Sequence, residues 1–292
     1  LDIQRLLWPT IIEANASGTI DNMTDMNHLK ADVDLYTKTY NLRPLLSVFD
    51  VSTSGIRIPA GFTVDGNVKV HGARYSTKLL AHEGKCMARV SAFFDVNRLS
   101  YDAQADIRQV DLRHFLPDSP LSTITSQLSV QGKGTDYLLP STWVNADVNI
   151  AHLGYEQNNL DDIKLQAHLK NGHAMIDLMT CNAIVDGTLC MDATLSKEDK
   201  HNRVQSTLET ELSHIDLYAL GITEAPLTIG LSGDFEMSSN MDDNHRLSGL
   251  IDHIYLRDSM KTYRPEKVGV LMNLRADTTY LRAQSGTLIL KL

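Results

Sequence analysis

The sequence is poor in the features from which a function is usually read. No purely apolar run is longer than four residues (Leu217 to Leu220), and a helix crossing a bilayer needs about 20, so none is expected within these 292 residues. Lys and Arg number 27 against 36 Asp and Glu, a net charge of −9 without a basic block. Phosphate backbones are bound by clustered cations, so no nucleic acid partner is expected. The three cysteines, Cys86, Cys181 and Cys190, are too few for a disulfide framework and too scattered for a zinc site. Cys181 and Cys190 could pair across a hairpin, but the reading adopted is small buried side chains. Aromatic residues make up only 6 % of the chain. The start at Leu1 lacks a basic and apolar leader, as in a mature chain or an excised piece of a longer one.

Catalytic motifs are missing too. His-Glu-x-x-His, Gly-x-Ser-x-Gly and Cys-x-x-Cys do not occur. Gly132-Lys133-Gly134-Thr135 resembles a phosphate loop only superficially, because Leu128 stands where that loop needs glycine. The histidines are dispersed; His168 and His173 straddle a turn at Asn171-Gly172 and read as solvated. Asp102 and Asp106 fall opposite the face of Ala103, Ala105 and Ile107. No catalytic residue, metal or cofactor is expected, and the chain reads as a non-enzyme. A carbohydrate-active β-protein stays open as an alternative that needs two carboxylates converging in a cleft.

What the sequence has is a period of two. Cys86, Ala88, Val90, Ala92, Phe94 and Val96 alternate with Met87, Arg89, Ser91, Phe93 and Asp95, the pattern of a strand with one apolar face. About a dozen segments share it, among them Val144 to Ile150, Ile163 to Leu169, Val204 to Leu212, Leu227 to Phe235 and Val268 to Leu274. Asp65-Gly66, Asn171-Gly172 and Asp186-Gly187 are pairs suited to tight hairpins because they tolerate positive φ. Helical spacing appears only at Ile3, Leu6 and Leu7 and at Leu42, Leu45, Leu46 and Phe49, near Pro44. The fold class expected is all-β, a long antiparallel sheet with short helical caps, running from 1 to 292 as one continuous segment with a short helical element near 40–50.

A motif of apolar, Asn or Asp, Leu, two spacers, then Leu or Phe occurs at Tyr40–Leu45, Val110–Phe115 and Ile215–Leu220. Each copy reads as a strand end where Asn or Asp caps a helical turn. A proline and a new alternating strand follow, so that Pro59 to Gly66 aligns without a gap with Pro226 to Gly233. The acidic or amide position recurs after 70 and then 105 residues (41, 111, 216), too uneven for a strict solenoid.

A dozen one-faced strands must be covered by another sheet, closed on themselves, or left open to something apolar. The small residues on the apolar parity (Ala88, Ala92, Ala103, Ala105, Ala146, Ala167) favour an under-filled trough over a tightly interdigitated core. Its lining is expected from Val64, Val68, Val70, Val90, Phe94, Ile107, Val148, Leu165, Leu208, Leu231 and Phe235.

From Tyr101-Asp102 to Asp136 runs a strand, then Val110-Asp111-Leu112 with Phe115-Leu116-Pro117, then Leu128-Ser129-Val130-Gln131-Gly132-Lys133-Gly134, echoed by Leu208 to Gly233. On these residues the chain resembles the periplasmic portion of the TamB family (translocation and assembly module TamB), in a form similar to long Bacteroidetes-type members, and so the wider AsmA-like proteins. The resemblance implies a sheet folded lengthwise into an open, taco-like apolar groove. It implies a periplasmic location, a tether to the inner membrane through a segment absent from this chain, and an outer-membrane partner of the Omp85 class, TamA-like. It also implies phospholipid as cargo, with a role in outer-membrane biogenesis; assembly of outer-membrane proteins by strand pairing, without lipid transport, is the alternative. No catalytic residue carries over.

Overall fold

A computed structural model describes residues 2–8, 10–25, 27–41, 57, 59–198 and 201–291. The chain is all-β and antiparallel, as its alternation predicts. Its contacts divide it into two units, Leu1–Lys133 with Asn149–Gln157, and Gly134–Val148 with Asn158–Leu292.

The first unit runs through β1 (Asp2–Trp8), β2 (Ile12–Asp21), β3 (Lys30–Thr39), β4 (Thr63–His71), β5 (Arg74–Glu83), β6 (Cys86–Asp95), β7 (Ser100–Asp111) and β8 (Leu121–Lys133). Each pairs antiparallel with the next in sequence order. β9 (Trp143–Tyr155) is divided between the units. The second unit continues with β10 (Asn158–Asn159), β11 (Ile163–Lys170), β12 (His173–Cys181), β13 (Val185–Glu198), β14 (His201–Asp216), β15 (Leu227–Ser239) and β16 (His245–Asp258). It ends with β17 (Thr262–Tyr263), β18 (Val268–Arg275), β19 (Thr278–Ser285) and β20 (Leu288–Lys291). From β11 onward this is again an antiparallel meander, in which β16 pairs with both β17 and β18. Neither meander closes on itself as a barrel among the described residues.

Two of the three repeat motifs form the capped turns expected of them. Asp111 accepts from the Arg113 N–H at 3.1 Å and starts a 3₁₀ turn, Leu112–His114. Asp216 accepts from the N–H groups of Tyr218 and Ala219 at 3.1 and 3.0 Å. These carboxylates satisfy donors that a short turn leaves unpaired. In the first copy, the helical element expected at Leu42 to Phe49 lies outside the described residues.

Three other expectations are corrected. The segment around Ile3, Leu6 and Leu7 is strand β1, not a helix. Its pairing slips between Ile3 and Leu6, which stand opposite Ala16 and Ala14, so a bulge supplies the three-residue spacing that mimics a helical period. Asn171-Gly172 does make a hairpin turn, with φ of 54° and 71°. Asp65-Gly66 and Asp186-Gly187 lie inside β4 and β13 instead. Gly66 and Gly187 adopt φ of +159° and +156° in mid-strand, and Gly18 in β2 does the same at +152°. A Cβ on Gly18, Gly66 or Gly187 would lie 2.7, 2.9 or 2.7 Å from the Cα of Val33, Leu79 or Leu212, so these strands cross their neighbours closely where only glycine fits. The cysteines are free, but Cys181 and Cys190 are exposed rather than buried; register explains it, since Cys190 stands opposite Asp177 and Cys181 opposite Asp186.

Candidate functional site

Directly opposed residues of an antiparallel sheet share a face, so the register assigns every side chain to one side. In the first unit Val68 of β4 stands opposite Val33 and Thr77, Leu79 opposite Val90, and Val90 opposite Ala105, itself opposite Leu128. Val64 and Val70 oppose Ala81 and Tyr75, and Tyr75 opposes Phe94. Ile107 opposes Ala88. One apolar face therefore extends from β2 to β8, and all six residues expected in this unit (Val64, Val68, Val70, Val90, Phe94 and Ile107) lie on it.

The second unit repeats the arrangement. Gln166 and His168 of β11 bond Asp147 and Asn145 of β9 at 3.0 Å on the polar side, which leaves Leu165 and Ala167 on the same side as Val148 and Ala146. Leu165 opposes Leu178, Leu178 opposes Leu189, and Met191 opposes Leu208. Leu208 in turn opposes Phe235, and Leu212 opposes Leu231. Val148, Leu165, Leu208, Leu231 and Phe235 thus lie on one apolar face that continues through Ile254 and Leu247 to Met272.

Neither face is sealed as a core. The expected lining residues are all half-buried. Only three hydrophobic side chains among the described residues are buried, Ile11, Ile184 and Ala193. The chain exposes 18652 Å², about half as much again as the roughly 12,400 Å² expected of a folded monomer of its mass. Small side chains are the most deeply placed on the two faces, among them Ser126 (3 % exposed), Ala193 (3 %) and Thr210 (6 %).

The opposite faces are ionic. Asp32 accepts from Asn67 Nδ2 at 2.8 Å and Lys69 Nζ at 2.9 Å, and Asn67 also reaches Asp34; these bonds hold the Asp32 carboxyl below its usual range. The Arg108 guanidinium does the same to Asp106. Asp102 and Asp106 are on this side, as expected, opposite Phe93 and Arg89.

Hollows open on the polar faces among the described residues. The first, of about 650 Å³, lies among Asp32, Asn67, Lys69, Lys78, Phe93 and Asp102. Another, of about 570 Å³, has Asp177, Cys190, Glu209, Asp234 and Glu236 around it; a third, of about 390 Å³, adjoins Asp192, Gln205 and Arg246. Glu209 stands directly opposite Asp234 at the second of these hollows, and both side chains are exposed. The Asp177 carboxylate, with burial and Glu209 adding to it, pushes the Cys190 thiol above its ordinary pKa. His168 and His173 are exposed, and His173 Nε2 lies 2.7 Å from Asp192. No group of three metal-ligating side chains occurs among the described residues, and no described helix is long and apolar enough to cross a membrane.

Comparison with protein-family models, with curated proteins and with solved structures found no match.

Proposed function

We propose that the chain is a segment of a periplasmic lipid conduit, in which the apolar faces hold phospholipid acyl chains while head groups stay in water. The observation that carries this reading is the pair of register-continuous apolar faces whose expected lining side chains are half-buried, with only three hydrophobic side chains fully buried among the described residues. At about 0.8 kcal/mol per methylene, a sixteen-carbon chain in water costs roughly 13 kcal/mol, so an apolar lining removes the main barrier to crossing an aqueous gap. A lining of Val, Leu, Ile and Ala without charged anchors binds neighbouring positions about equally, which is what movement along it requires. The implied partners are phospholipid and an Omp85-class, TamA-like outer-membrane protein, with a tether to the inner membrane supplied by another segment.

Native mass spectrometry of the purified 292-residue chain, followed by organic extraction and lipid identification, tests the reading. Retained phospholipid that is lost in Val90→Asp and Leu231→Asp, with unchanged circular dichroism, is the expected result. Lipid-free protein, with both variants unfolded, would show the faces to be a closed core.

A further inference from the structure

Phe93 is the only exposed phenylalanine among the described residues, at 39 %. It stands on the ionic side of the first unit, where its ring fills no core. Ser76 and Asp102 flank it directly, across β5 and β7, and Lys78 and Ser91 form the adjacent row of the same side. All five residues line the hollow of about 650 Å³.

The polar groups around the ring fall into two sets. Asp32 is engaged by Asn67 and Lys69, and Asp34 by Asn67. The side chains of Ser76, Lys78, Ser91 and Asp102 have no hydrogen-bond or ion-pair partner among the described residues. Paired strands lie about 4.8 Å apart and same-face residues of one strand about 6.8 Å apart, so these four groups surround Phe93 at about 5–8 Å. Together they offer every kind of hydrogen bond: Asp102 accepts, Lys78 donates, and the serines do both.

These groups select a ligand by class. Asp32, Asp34 and Asp102 outnumber Lys69 and Lys78 in the hollow, which disfavours an anion, while the unpaired Lys78 repels a cation. A wholly apolar ligand would take water from Lys78 and Asp102 and give no hydrogen bond in return. A neutral ligand fits if it has an apolar face for the ring and, around its rim, groups that both donate and accept. A pyranose has that form, with C–H groups on its faces and hydroxyls at its edge. We propose that this hollow binds a neutral sugar stacked on Phe93, with Asp102 accepting from one hydroxyl and Lys78 donating to another. A β-1,4-linked glucose-type chain suits it best, because its equatorial substituents leave the ring faces clear for stacking. The site stands apart from the lipid-conduit reading, since Val90 and the rest of the apolar lining lie on the other side of the sheet.

Isothermal titration calorimetry of the 292-residue chain with cellohexaose and with chitohexaose tests the proposal, with choline and inorganic phosphate as the charged comparisons. Millimolar or tighter binding of at least one oligosaccharide is expected, and saturation-transfer NMR is expected to mark its ring C–H protons. Phe93→Ala weakens that binding about tenfold or more, through loss of one buried aromatic contact, and Phe93→Tyr, which keeps the stacking ring, restores it. Asp102→Asn costs about tenfold, as for a hydrogen bond to a charged group. Phe93→Ala retains whatever lipid the wild type holds, so failure of one reading is separable from failure of the other. The proposal is overturned if neither oligosaccharide binds at millimolar concentration, if Phe93→Ala binds as wild type does, if Phe93→Tyr loses as much as Phe93→Ala, or if choline or phosphate binds more tightly than the sugars.

Discussion

The rings of Phe62 and Phe115 meet edge to face, their centroids 5.6 Å apart and their planes at 83°. Phe62 immediately precedes β4, and Phe115 closes the capped turn of the second repeat motif, so the contact joins the start of β4 to that turn. His114 Nδ1, 2.9 Å from Glu83 Oε2, ties the same turn to the β5–β6 hairpin.

An edge-to-face pair contributes about 0.5–1.5 kcal/mol beyond the area it buries. A double-mutant cycle of Phe62→Leu and Phe115→Leu, read by urea denaturation, is expected to return a coupling of about 1 kcal/mol. Additive effects would mean that the contact is incidental.

Gly66→Ala forces a Cβ into the backbone of β5 at a φ only glycine adopts readily. The expected loss is about 1–3 kcal/mol. Gly84, at φ +60° with nothing within 4 Å of the place a Cβ would take, is the control: Gly84→Ala carries only the left-handed penalty, about 1 kcal/mol.

Cys190 shares its cross-strand position with Asp177, whose carboxylate keeps the thiol protonated beyond its ordinary range. Alkylation proceeds through the thiolate. Asp177→Asn is therefore expected to speed iodoacetamide labelling of Cys190 several-fold at pH 8, followed by peptide mass spectrometry, with the rate at Cys181 as internal reference.

Asp95 is 4 % exposed, accepts from the Arg98 N–H at 3.0 Å and from Arg74 Nε at 3.2 Å, and its carboxyl is held low, first by that backbone bond and then by the two arginines. Arg113 lowers Asp111 likewise. A carboxyl with a lowered folded pKa stabilises fully above the unfolded value of about 3.9 and loses that contribution as pH falls through the folded value. Urea midpoints are expected to hold between pH 7 and 5 and to drop below about pH 4, less steeply in Asp95→Asn.

The parity of the faces was legible because burial on one side of a strand imposes strict alternation, and all eleven residues singled out from it fall on the apolar sides. The Asp caps at 111 and 216 were legible because a short turn has donors that a carboxylate must meet. Mid-strand glycines were not: Asp65-Gly66 carries the local chemistry of a turn, and only the backbone of β5 pressing on Gly66 shows that it is a crossing. β1 escapes a reading by period for a related reason, since a bulge reproduces three-residue spacing. Cys181 and Cys190 were misplaced because a sheet without a sealed core leaves its polar side open to small apolar residues as well.

The bulges in β7 and β14 bear on how such a chain can change its length. Apolar positions run Tyr101, Ala103, Ala105, Ile107 and then shift to Val110, where pairing slips between Ile107 and Val110; Leu212 shifts to Ile215 in the same way. The sheet keeps a reading frame of two, and each bulge acts as a frameshift suppressor. An inserted or deleted residue turns every later side chain of its strand to the wrong side unless a bulge absorbs it. Strands of this kind can grow by pairs anywhere, and by single residues only where a bulge resets the frame.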